Sequence, residues 1–380
     1  MRPRFDLPLD PADFLARFWQ KAPLFMPACA TGLAHPDPDT LAGLALEEGV
    51  ESRLISGSGA GPWNSQHGPF SPDDFASMPR SNWTLLVQSV DHFLTEVSLL
   101  LDDFRFLPAW RLEDIMISYA ARGGSVGPHF DRYDVFLIQA RGQRHWQLGP
   151  MCDESTPLMP HDSLRLLQDM PVESEHLASP GDVLYLPPGI AHYGIAQDDD
   201  CVTWSVGFRA PSPLEVLERL VDAVAETDEQ HGLFRDPQRQ PPADPALLGR
   251  RDQQALVKQG LAAITEDQQR MALGGLLSEP RQPNGLDFEV DCGHIAAALP
   301  GAVLVRHGAT RLILDDLGDA WLNGECWPLD EDSRPLVSLL ASKRYYEAAE
   351  LAAFDQPGQI DLVNEWVDSG FFVWLGSDDE

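Results

Sequence analysis

Three side chains carry the strongest chemical signal in this 380-residue chain: His129, Asp131 and, farther on, His192. Two imidazoles and a carboxylate form the set that holds Fe(II) on one face and leaves coordination positions open. If His129-Phe130-Asp131 runs as a strand, alternation puts the imidazole and the carboxylate on the same side. The third donor must then come from a facing strand. His192 follows Pro187-Pro188-Gly189, a stiff bend directly after an apolar strand at 183–186. An H-x-D pair alone is common and is usually just a hydrogen-bonded pair. Its context here points elsewhere: a Gly-rich approach at 122–128, a hairpin turn at Arg141-Gly142, and a basic residue, Arg144, on the returning strand.

The elements that must position these groups are mostly strands. The pattern predicts them at 115–119, 135–140, 144–148, near His176-Leu177, at 183–186 and at 201–208. Short strands divided by Gly/Pro turns read as a double-sheeted β architecture rather than a parallel α/β sheet. Ahead of them, Asp10 opens a helix carrying Phe14, Leu15, Phe18 and Trp19 on one stripe and closed by Pro23. An edge strand at 24–26, a second helix capped by Asp39 or Thr40, a β-rich stretch at 83–90 and a helix at 94–104 follow. Beyond Pro211-Ser212-Pro213, Leu214, Leu217, Val221 and Val224 recur at helical spacing. A Pro-rich linker, 236–242, leads to further helix at 253–277, which closes at 280–285. The last piece mixes strands at 303–305, 311–314 and 320–322, an Asn323-Gly324 hairpin turn, and helices at 335–341, 345–354 and 360–367, ending in a strand at 371–374. This is a winged-helix pattern. Three domains are expected: 1–210, 211–285 and 286–380.

The net charge is −32, and neither half of the chain is basic. Nucleic-acid affinity comes largely from Lys and Arg displacing counterions, so direct nucleic-acid binding is not expected. An acidic body suits a basic partner instead. The five cysteines (Cys29, Cys152, Cys201, Cys292 and Cys326) are scattered and odd in number, which fits a reducing cytoplasm better than a disulfide framework. No signal-peptide pattern and no apolar run of membrane-spanning length is found, and a cytoplasmic location is expected.

With the triad and hairpin in place, the chain resembles the JmjC-class ribosomal oxygenases. The likeness extends to Phe18-Trp19-Gln20-Lys21-Ala22-Pro23, the block at 41–54, His67-Gly68-Pro69-Phe70, the block at 82–88, Tyr133-Asp134-Val135-Phe136 and the block at 205–211. It covers most of 12–211, and the remainder in architecture only. The resemblance implies a mainly β fold: a double-stranded β-helix (jelly-roll, cupin-like) core with N-terminal additions, a helical dimerisation segment and a C-terminal winged-helix-like domain. It implies His129, Asp131 and His192 as iron ligands. Arg144 would take the distal carboxylate of 2-oxoglutarate, and Ser118 would line the cosubstrate pocket. Ala120, where a polar residue would give a second cosubstrate contact, departs from expectation.

The implied activity uses Fe(II), 2-oxoglutarate and O₂ to hydroxylate the 3-position (β-carbon) of an arginine in a basic large-subunit ribosomal protein, with a homodimeric enzyme. Asp134 is a candidate for the substrate guanidinium by position only, and a turn-capping role competes with it. A histidyl hydroxylase or an N-methyl-lysine demethylase would use the same iron site. A non-catalytic jelly-roll scaffold for a basic ribosomal protein has no use for both Arg144 and an intact triad. His145, His161, His176, His294 and His307 read as ordinary histidines, and Trp146 and Trp204 as packing residues.

Overall fold

The computed structural model describes residues 2–59, 61–226, 233–280 and 302–375. The expected boundary at 285/286, His294 and Cys292 lie outside the described residues. Thirteen strands build the first part of the chain: β1 (Arg4–Phe5), β2 (Leu24–Met26), β3 (Ala30–Thr31), β4 (Ser52–Ser56), β5 (Asn64–His67), β6 (Trp83–Val87), β7 (Leu112–Ala120), β8 (Val135–Arg141), β9 (Arg144–Met151), β10 (Ser174–Ala178), β11 (Val183–Leu186), β12 (Ile190–Ala196) and β13 (Cys201–Phe208). Eight of them form one sheet in the order β2-β11-β8-β13-β7-β6-β4-β5, and β10-β9-β12 form a second. All pairings in both are antiparallel. The crossing order, with β11 beside β8 and β13 between β8 and β7, is that of a double-stranded β-helix.

Alternation decides which face of the large sheet becomes core. Along β7, Ile115 and Ile117 point to the outer layer, as do Val202, Trp204, Val206 and Phe208 of β13, all of them buried. The N-terminal additions cover this face. Helix Pro11–Arg17 is capped by Asp10, whose carboxylate accepts the Ala12 N–H. It lays Phe14 against Tyr185 (5.0 Å) and Phe136 (5.7 Å), and Trp19 stacks on Tyr185 at 5.9 Å. Aromatic rings of this size supply much of the layer's burial.

Several expectations need correcting. The first helix ends at Arg17, so Phe18 and Trp19 reach the core from a turn beyond it rather than along a stripe. The second helix, Pro38–Leu44, is capped by Asp37 and not by Asp39 or Thr40. The stretch 94–104 is one α-turn, Thr95–Ser98, followed by a 3₁₀ segment, Leu99–Phe104. Strand β12, which carries His192, was not among the predicted strands, nor was β5.

Beyond β13, helices Pro213–Ala225, Arg250–Ala262 and Glu266–Ser278 precede a small mixed unit. There β14 (Val303–Arg306) is flanked by β18 (Tyr345–Glu347) and β19 (Phe372–Leu375), and β15 (Leu312–Leu314), β16 (Ala320–Leu322) and β17 (Glu325–Trp327) form the wing hairpins. The turn between β16 and β17 is the expected Asn323-Gly324. The helix expected at 345–354 is instead β18 and a single helical turn, Ala348–Leu351, because Leu304 of β14 claims Tyr346 as its strand partner.

Candidate active site

His129 stands outside the regular strands, paired as an isolated bridge with His192 of β12. The two residues exchange both backbone bonds: His129 N–H to His192 O at 3.0 Å, and His192 N–H to His129 O at 2.8 Å. Asp131 is fixed next to them by the Gly189 N–H, which donates to its carbonyl at 2.8 Å. The bridge brings the groups together, and strand alternation within the triplet does not, which corrects the expectation that it forms a strand.

Each imidazole is locked by a carbonyl two residues earlier. His129 Nδ1 lies 2.9 Å from Gly127 O, and His192 Nδ1 lies 2.9 Å from Ile190 O. A carbonyl can only accept, so Nδ1 carries the proton and each Nε2 presents a lone pair. Gly127 reaches its position at φ +85°, a region that side-chain-bearing residues rarely adopt. The Nε2 atoms face the Asp131 carboxylate at 4.0 Å (His129) and 3.7 Å (His192), and one donor atom from each residue falls within 4.8 Å of the others. His192 is 2% exposed. Burial, with His129 beside it, pushes its pKa down to about 4, so it is neutral at pH 7.

The triad opens into a cavity of about 460 Å³ between the two sheets. Arg144, at the start of β9, is 3% exposed and lines the same cavity, and its Nε and Nη2 have no hydrogen-bond partner. Its guanidinium lies over Trp146 (5.6 Å), whose ring sits 6.0 Å from His192. Trp146 therefore lines the cavity between the cation and the triad. Gly194 of β12 makes room for it, since a Cβ there would lie 2.5 Å from the indole. Two neutral nitrogens plus one carboxylate suit a divalent first-row metal, and an unpaired buried guanidinium asks for an anion. The residues present thus fit Fe(II) and a dicarboxylate cosubstrate. Ser118 also lines the cavity, its hydroxyl donating weakly to Thr203 O at 3.4 Å.

Other residues fall elsewhere. Asp134 is fully buried away from the cavity and accepts from Tyr185 Oη (2.6 Å), Gln20 Nε2 (2.9 Å) and Arg111 (3.2 Å). It holds the N-terminal segment to the sheet and does not line the cavity, which speaks against the guanidinium-binding expectation. His145 faces outward, 3.8 Å from Glu175, and His176 stacks on Phe25 at 4.8 Å. Trp204 is fully buried packing. Thr84, Thr203 and Asp114 were not singled out from the sequence, yet all three line the cavity. Asp114 and Thr203 were legible in principle. Asp114 shares a β7 face with Met116 and Ser118, and Thr203, Ser205 and Gly207 are the small or polar alternate residues of β13. Asp114 is 2% exposed, with Oδ2 taken by Gln88 Nε2 (2.6 Å) and Ser89 Oγ (2.7 Å).

The JmjC domain family matches residues 99–216, and the ROXA-like winged helix family matches residues 259–372. The Escherichia coli protein named ribosomal protein uL16 3-hydroxylase is 35% identical over 98% of this chain and 100% of its own length. A probable ribosomal oxygenase of Haemophilus influenzae is 40% identical over 57% of this chain and 53% of its own. A solved structure of the E. coli ribosomal oxygenase YcfD with cobalt and 2-oxoglutarate superimposes with a TM-score of 0.83 at 33% identity, covering 98% of this chain and 100% of that one. Fold, cavity chemistry and full-length similarity converge: the chain belongs to the family of JmjC ribosomal oxygenases.

Proposed function

We propose that this chain is an Fe(II)- and 2-oxoglutarate-dependent hydroxylase that adds a hydroxyl to the β-carbon of an arginine in a large-subunit ribosomal protein. The observation that carries the proposal is the unpaired, buried Arg144 in the cavity that holds the His129–Asp131–His192 cluster. The names of the full-length relative and of the cobalt and 2-oxoglutarate complex support it.

In this reading His129, Asp131 and His192 hold the iron. Bound iron, with 2-oxoglutarate and O₂, supplies the oxidising power that turns a C–H into C–OH as the keto acid leaves as succinate and CO₂. Arg144 forks onto the distal carboxylate of the cosubstrate, where a planar, permanent cation is best suited. Ser118 and Thr203 line the same cavity, the Thr203 hydroxyl donating to Gln139 Oε1 at 3.0 Å. Asp114, held rigid through Oδ2, offers its other oxygen to the substrate guanidinium, and Met116, Val135, Leu137 and Leu166 exclude water around the target carbon.

The finer features follow from the surface. The acidic charge suits a basic ribosomal partner and disfavours direct nucleic-acid contact. Helix Pro213–Ala225 leaves Leu214, Leu217 and Val221 exposed, a stripe suited to a second copy in a homodimer. No helix among the described residues is long and apolar enough to cross a membrane. We place the protein in the cytoplasm, with domains 1–210, 211–285 and 286–380. Incubation with Fe(II), 2-oxoglutarate and the ribosomal protein should give succinate and a mass gain of one oxygen atom on an arginine. Formaldehyde release, or succinate without oxidised arginine, would refute this assignment.

A further inference from the structure

The winged-helix unit meets the catalytic domain around a hollow of about 30 Å³, well apart in chemistry from the active-site cavity. Its polar wall is made by Arg306, Arg311 and Arg344, each at most 9% exposed, with Arg105, Thr310 and one carboxylate, Asp102. Leucines, Ala109 and Ile313 complete it. A guanidinium taken out of water needs a counter-charge or a full set of acceptors. These three have no carboxylate in direct contact and no full set of acceptors: Asp102 acts on Arg306, Asp102 and Asp91 on Arg344, and Glu113, Asp91 and Asp114 on Arg311, each only from beyond 4.0 Å among the described residues. Arg344 donates to the carbonyls of His307 and Gly308 at 3.3 Å, and Arg311 donates to the carbonyl of Leu112. The Arg306 side chain has no hydrogen bond among the described residues, and Nε of both Arg306 and Arg311 lacks an acceptor.

Asp102 does not supply the missing charge. Its Oδ1 is taken by Arg105 at 2.9 Å, and its Oδ2 by the backbone N–H of Arg344 (2.9 Å) and by Arg2 (3.5 Å). Among the described residues, no carboxylate lies within 4.0 Å of a nitrogen in any of these three guanidiniums. Burial lowers the pKa of all three arginines, and for Arg344 the neighbouring Arg306 and Arg311 add to it, more than the surrounding carboxylates offset.

We propose that this hollow is an anion site, filled by one small monovalent anion of chloride size held between Arg306, Arg311 and Arg344. The volume sets the class. A single water needs only about 10–15 Å³ of such space, so one halide fits where sulfate or phosphate would not. The anion would tie the two units together. The three arginines come from the winged helix, whereas Leu101, Asp102, Arg105, Ala109 and Leu112 belong to the catalytic domain. Through Leu112 the seat reaches the first residue of β7, the strand that presents Asp114 and Ser118 to the cavity.

The test uses the full chain at constant ionic strength, with sodium gluconate replaced stepwise by sodium chloride. The expected result is a saturable rise of several degrees in the unfolding midpoint in the millimolar chloride range. Arg306→Met should abolish that rise while folding in gluconate. Crystals soaked in sodium bromide should show an anomalous scattering peak between the three guanidiniums, a measurement on the wild-type chain that does not depend on how the variant folds. Equal midpoints in gluconate and chloride would overturn the proposal. So would a bromide peak with no chloride-dependent shift, which would mark an adventitious ion only.

Discussion

His129 and His192 are bonded to each other twice through their backbones. The pairing sets their ring centroids 4.2 Å apart and leaves both Nε2 atoms free, because each Nδ1 is committed to a local carbonyl. The metal site is therefore built by main-chain contacts, and truncating a ligand side chain removes no strand pairing. His192→Ala or His129→Ala should keep the unfolding midpoint within a few degrees. Turnover should drop by more than about 100-fold, since loss of even an outer-shell partner costs about 10–100-fold in affinity or activity. Cobalt(II) titration followed by visible absorption separates the two effects. An unaltered cobalt spectrum in His192→Ala would remove that residue from the metal site.

Arg144 is predicted to act on the cosubstrate alone. Its guanidinium is buried, unpaired and placed at the Trp146 side of the cavity. A hydrogen bond to a charged group is worth about 1.5–3 kcal/mol, so Arg144→Met should raise the KM for 2-oxoglutarate by about 10–100-fold. The KM for the ribosomal protein should stay near its wild-type value. Arg144→Lys should recover part of the loss, because a point charge replaces the fork. A variant with the wild-type cosubstrate KM would show that the dicarboxylate sits elsewhere.

Two buried carboxylates, Asp114 and Asp134, should separate cleanly in kinetics. Asp114 lines the cavity, whereas Asp134 binds Tyr185, Gln20 and Arg111 in the layer behind the sheet. Asp114→Asn should raise the KM for the ribosomal protein about tenfold or more, in line with the loss of one charge-assisted bond. The 2-oxoglutarate KM should not change. Asp134→Asn should leave both KM values alone and lower stability by about 1–3 kcal/mol, the range for a disturbed buried hydrogen-bond set. The opposite pattern would return Asp134 to the substrate site.

How much of this was legible follows from where local pattern and tertiary pairing agree. Strands β8, β11 and β13 read directly from apolar runs bounded by Gly and Pro, and the triad was visible from residue type and context. β12 was hidden because Pro187-Pro188-Gly189 announces a turn, and Gly194 in its middle weakens the strand pattern. Gly194 is there to admit Trp146, a contact no local window shows. Asp134 was drawn toward the site by its nearness to Asp131. Alternation argued otherwise, since Val135 lines the cavity and its neighbour must face away. The stretch 345–354 is rich in Ala and Glu and reads as helix, but Tyr345–Glu347 pairs with β14 and the pairing overrides propensity.

The winged-helix unit contains a group whose titration should be measurable apart from the iron site. His307 accepts the Ala309 N–H at Nδ1 (3.2 Å), and burial, with Arg344 close by, pushes its pKa down to about 4. In an unfolded chain a histidine titrates near 6.5, so the fold holds this ring neutral while the unfolded chain protonates it. Its contribution is complete above about pH 6.5 and is lost as the pH falls toward about 4, an amount of up to about 3 kcal/mol. His307→Asn keeps an acceptor near the Nδ1 position but cannot be protonated in this range. Urea unfolding between pH 7 and pH 4 should therefore show a shallower loss of stability in His307→Asn than in the wild type. Parallel curves for the two proteins would show that His307 does not govern the acid sensitivity of this unit.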